Sequence, residues 1–119
     1  MAGGILLFHW QHVYDPGYVV DKDWTRHEAS ILGSSMLEIP MALRWITVGI
    51  EYHHIHHLRI RMPGYKLQEC HEQAPSEFWS DVVVMGRKEM WDSLFMQVWD
   101  EDKGTYSTFA EVEREAKKL

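Results

Sequence analysis

The chain has 119 residues, 45% of them apolar, and a formal net charge of −6, which bounds it to one domain or part of one. That acidic balance offers no basic stripe against phosphate, so a nucleic-acid partner is not expected. The single cysteine, Cys70, rules out an intrachain disulfide, and no apolar run is long enough for a complete membrane helix.

Residues 1–10 are apolar but too short to span a bilayer, and they lack the basic start of a signal peptide. They read as the end of a longer span, or as an ordinary strand or helix end. Within GILLFHWQHVY (4–14), His9 and His12 stand three apart and share a face if this segment is helical. Asp15-Pro16-Gly17 ends it. A charged connection leads to a short helix near residues 24–32, with Trp24 suited to a membrane surface or to anchoring a loop. Gly33-Ser34-Ser35 is the next break, and either serine can cap a following turn.

From Pro40 the chain reads PMALRWITVGIEYHHIHHL, a helix expected to begin at the proline. Ile39, Leu43, Ile46 and Ile50 recur at helical spacing, and the rhythm continues to His53 and His57. This stripe predicts that the histidines point inward. Gly49 weakens the helix or admits a neighbour, and residues 48–50 allow a break. Four of the chain's eight histidines fall within five residues, at His53, His54, His56 and His57. His53, His56 and His57 have the spacing i, i+3, i+4 and can converge on one metal or two. His54 points about 100° away from His53, as a group behind the ligands or at the surface. Imidazole needs a partner when buried, and a metal satisfies several at once. The bland reading is a histidine-rich solvated face.

Arg59 and Arg61 suit the end of that helix or a lipid phosphate, and Pro63-Gly64 stops it. Residues 65–71 can start a second short helix, with Cys70 and His71 as weaker ligand candidates. Residues 77–98 read as an amphipathic helix of about five turns, interrupted at Gly86. A charged turn at 100–104, an extended segment at 106–109 and a polar helical tail at 109–119 follow. No phosphate loop, Ser–His–Asp arrangement or glycosidase carboxylate pair is present in the sequence.

The segment YHHIHHLRIRMPGYKLQEC (52–70) resembles the third histidine box of the membrane fatty acid desaturases, most closely the acyl-lipid Δ12/ω6 type. His53, His56 and His57 meet the box pattern HxxHH, and the Pro63-Gly64-Tyr65 turn and Cys70-His71-Glu72 also fit. LFHWQHVYD resembles the family's glutamine–histidine segment, aligning Gln11 and His12. Trp24, Ala29, Gly33-Ser34-Ser35, Pro40 and the WDEDKG segment (99–104) fit as well. The resemblance implies metal ligands at His12, His53, His56 and His57, with His54 and His9 behind them. It implies a di-iron centre that activates dioxygen and introduces a cis double bond into an acyl chain. The partners it implies are an acyl-lipid or fatty acyl substrate, a ferredoxin or cytochrome b5-type electron donor, and the cytosolic membrane surface.

The sequence departs from that pattern in lacking the first two histidine boxes and the membrane helices that carry them. The expectation is therefore a mainly α fold: the C-terminal cytosolic helical cap of a desaturase, incomplete without upstream transmembrane helices and inactive alone. Met1-Ala2-Gly3-Gly4 fits a shortened gene, and a split chain with an upstream desaturase fragment fits equally. Three segments are expected: 1–14, a membrane-proximal helix end with the glutamine–histidine pair; 15–76, the histidine-box region; and 77–119, an amphipathic helix and polar tail. Three alternatives stand beside it. They are a related membrane hydroxylase, epoxygenase or ketolase, a small soluble zinc-binding module, and a membrane-surface helical protein without metal.

Overall fold

A computed structural model describes residues 2–18 and 23–118. The chain is mainly helical, and the helices are short. In order they are α1 (Ala2–His12), α2 (Arg26–Leu32), α3 (Arg44–Thr47), α4 (His53–Leu58), α5 (Leu67–Gln73), α6 (Arg87–Ser93) and α7 (Phe109–Ala116). Among the described residues four strands join them: β1 (Ser35–Leu37), β2 (Val83–Met85), β3 (Val98–Asp100) and β4 (Thr105–Ser107). Among the described residues no helix is long and apolar enough to cross a membrane.

β1 pairs in parallel with β2, with Met36 opposite Val84. β3 and β4 form an antiparallel hairpin. Successive strand side chains point to opposite faces, and β1 uses this to serve two apolar clusters. Leu37 joins Tyr14, Met85 and Met90, while Met36 packs against Tyr52, Ile55 and Leu67. Ile55 and Leu67 are wholly buried, and burying such side chains contributes about 1.5–3 kcal/mol each.

Caps set several boundaries. The Thr25 hydroxyl accepts from the Glu28 N–H at 3.1 Å and starts α2. Thr108 and Glu111 form a reciprocal capping box that starts α7. Ser34 and Ser35 do not cap a turn. Both are buried, and Ser35 Oγ donates to the Trp10 carbonyl at 2.9 Å, fastening α1 to β1.

Two expectations are corrected here. The helix foreseen from Pro40 is broken: a 3-10 turn (Met41–Leu43) and α3 end at Val48, which has a left-handed φ of 53°. Gly49 follows at φ 86°, and α4 starts again at His53. The break removes the stripe, since Leu43 and Ile46 are 48% and 57% exposed. What turns α4 inward is Ile55 in the second cluster and the backbone bridge between Met36 and Tyr52. Residues 77–98 are likewise not one helix. The valine run feeds β2, because β-branched side chains suit a strand. Gly86 separates β2 from α6, and Val98 belongs to β3. β2 lies beyond residue 76 and pairs with β1, which lies before it.

Candidate metal centre

α1 and α4 meet at the histidines. Gln11 is buried and donates from Nε2 to the Ile50 carbonyl at 2.7 Å. That bond locks α1 onto the turn preceding α4 and sets His12 beside the box. The Nε2 atom of His12 lies 3.2 Å from His57 Nε2 and 3.3 Å from His53 Nε2, and the latter two are 3.0 Å apart. The spacing i, i+4 on α4 supplies His53 and His57; only the fold supplies His12.

A carbonyl oxygen can only accept, so the 2.8 Å contact from His12 Nδ1 to the Phe8 carbonyl puts the ring proton on Nδ1. Its Nε2 lone pair therefore faces the other two rings. A first-row metal bound by imidazoles at about 2.0–2.1 Å sets neighbouring nitrogens about 2.9–3.4 Å apart. The three observed separations fall inside that range, so the donor set fits a metal ion.

Electrostatics favour the ligating form. Burial, reinforced by His57, His12, His56 and His54, pushes the His53 imidazole down to about 3. Burial and the neighbouring rings of His12 and His56 lower His57 as well. At least these two rings are neutral at physiological pH, as a metal ligand must be. His53 Nδ1 is buried with no hydrogen-bond partner among the described residues.

The other sequence candidates fall elsewhere. His56 stacks on His53, with ring centroids 5.4 Å apart, and is not in the triangle. His9 donates from Nε2 to the Ser93 carbonyl at 2.9 Å and so ties α1 to α6. His54 is completely buried, its Nε2 lying 3.3 Å from Nδ1 of His71. Burial, then His71, lowers His54 to about 3. Trp79 stacks on His71 and donates from Nε1 to its carbonyl at 3.0 Å. Cys70 packs against the second apolar cluster as a free thiol.

Glu51 escaped the sequence reading of the site. It is 1% exposed, accepts from the Thr47 hydroxyl at 2.5 Å and lies 3.8 Å from Arg44 Nε. The pair joins α3 to the turn before α4 and helps hold His53 in place. The available signal was a lone carboxylate inside the apolar run ITVGIEY.

The family model for fatty acid desaturase matches residues 1–85, which include every histidine discussed above. A fatty acid desaturase of Bacillus subtilis (strain 168) is 36% identical over 107 residues, covering 89% of this chain. The chain spans about 30% of that relative's length. No solved structure matches. With a family match over most of its length and a three-histidine cluster suited to a metal ion, the chain belongs to the fatty acid desaturase family.

Proposed function

We propose that this chain is the C-terminal, third-box portion of a di-iron fatty acid desaturase. In this reading it forms a helical cap at the cytosolic face of the membrane, over a centre completed by histidines of an upstream segment. The observation that carries the reading is the convergence of His12, His53 and His57 Nε2 atoms at 3.0–3.3 Å in a family member. These three hold one ion, and His56, stacked beside them, is left for its companion. Bound there, the iron pair supplies dioxygen reduction and removal of two hydrogens from an unactivated acyl chain, giving a cis double bond. The chain's own residues do the positioning: Gln11 fixes His12, the Phe8 carbonyl sets its tautomer, and the Tyr52–Ile55–Leu67 cluster keeps water from one side of α4. The acyl-lipid or fatty acyl substrate, the ferredoxin or cytochrome b5-type donor and the upstream fragment are its partners. The division into 1–14, 15–76 and 77–119 is part of the same reading.

The test is co-expression with an upstream chain carrying the other boxes and the membrane helices, followed by fatty acid analysis. A new cis double bond is expected only with both chains present, and none with His53→Ala. Double bonds made by this chain alone would overturn the reading. A second reading, a single zinc ion on the three nitrogens, is favoured by the completeness of the triangle within one chain. Metal analysis separates the two: one zinc in the isolated chain, or an iron pair only in the complemented complex.

A further inference from the structure

The metal reading leaves Arg59 and Arg61 without a role. Together with Arg26 and Lys66 they line a cavity of about 1010 Å³. Packing of α2 on α4 brings Arg26 there from a distant part of the chain. Leu58, Ile60, Met62 and Pro63 give the same cavity an apolar wall, and Ile60, between two arginines, is 63% exposed.

Charge is unbalanced in this cavity. Among the described residues the one carboxylate in the lining is Glu69, which Lys66 already engages at 2.6 Å and Gln73 at 3.1 Å. None of Arg26, Arg59 and Arg61 takes part in an ion pair with a described residue. On a chain of net charge −6, three guanidinium groups with no carboxylate partner among the described residues therefore share one concavity. Their mutual repulsion is relieved when an anion enters, and planar guanidinium forks match phosphate oxygens in pairs.

We propose that this cavity binds a phosphate group carried on an apolar chain. The arginines take the phosphate, and Leu58, Ile60, Met62 and Pro63 cover the first methylenes. Free phosphate would leave that wall wet, and an acidic protein surface brings carboxylates without an alkyl chain to cover it. None of the lining residues belongs to the histidine triangle, so the site stands or falls independently of the metal reading and of which lipid is desaturated.

The experiment is calorimetric titration of the full chain, without added metal, with dihexanoyl phosphatidate kept monomeric. Dihexanoylglycerol, inorganic phosphate and polyglutamate are titrated in parallel. The expected result is saturable phosphatidate binding, at least about tenfold tighter than any comparator and weakened by salt. Arg59→Ala/Arg61→Ala and, separately, Arg26→Ala lower the affinity about tenfold or more, with an unchanged circular dichroism spectrum. Glu69→Gln raises it, and Arg87→Ala, on α6, leaves it unchanged. Equal binding of inorganic phosphate, binding of polyglutamate without phosphatidate, or indifference to both arginine variants would each overturn the proposal.

Discussion

The Nε2 atoms of His12 and His57 lie 3.2 Å apart although 45 residues separate them in the chain. Removing any corner of the triangle leaves a two-histidine site. We expect His12→Ala, His53→Ala and His57→Ala each to lower metal affinity by about tenfold or more, read by calorimetry with zinc or ferrous iron. His9→Ala, whose ring bonds a carbonyl on α6 instead, leaves the affinity unchanged. Equal loss in His9→Ala would show that the helix, not the triangle, determines binding.

Gln11 governs that relationship without joining the triangle. Gln11→Ala leaves the Ile50 carbonyl without its 2.7 Å donor, at a cost of about 1–3 kcal/mol. The melting temperature falls, and metal affinity falls with it because α1 loses its register against α4. Thermal unfolding of the metal-free and metal-loaded protein measures both. A variant that melts normally would remove Gln11 from the account.

The turn between α3 and α4 is tested by substitutions with opposite signs. A Cβ on Gly49 would lie 2.2 Å from the Gly64 carbonyl oxygen, at φ +86°. Gly49→Ala is expected to cost more than about 2 kcal/mol and to displace His53. Val48 holds a left-handed φ with a β-branched side chain that is 58% exposed, a conformation costing about 1–2 kcal/mol. Val48→Asn therefore stabilises, because asparagine tolerates this region and little packing is lost. Denaturant melts of the two variants should move in opposite directions.

Acid should loosen the C-terminal helix before the rest. Hydrogen bonds from the Thr108 backbone and side chain hold the Glu111 carboxyl below its ordinary value of 4.5. A group depressed on folding stabilises above its unfolded pKa, and that stabilisation is lost as pH falls through the folded one. Amides at the start of α7 should lose protection, measured against their intrinsic exchange rate at each pH, below about pH 4.5, and Thr108→Ala should abolish the difference. Protection that is flat with pH would mean the box contributes nothing.

Much of the site was legible in the one-dimensional pattern. The spacing of His53 and His57 places both rings on one face of any helix, whatever surrounds it, and the Gln11-His12 pair carried the family resemblance. Pro63-Gly64 did not end that helix: α4 stops at Leu58, and Pro63 instead starts a 3-10 turn at Gly64–Lys66. An extended segment was expected near β4, but β1 and β2 were not legible, because three-residue strands such as Ser35–Leu37 and Val83–Met85 are too short to display a period. Each exists by pairing with the other across the chain.

The sequence by itself determined the ligand chemistry and the local geometry of α4, since side-chain identity and helical repeat are local properties. The tertiary structure alone decided which histidines meet. The continuous stripe from Ile39 to His57 was broken at Val48 and Gly49, where a close approach of the Gly64 backbone outweighed helix propensity. His12 reached the box, while His9, three residues away, was turned to the Ser93 carbonyl. Contacts between residues distant in sequence set that choice: Gln11 with Ile50, Ser35 with Trp10, and Met36 with Tyr52.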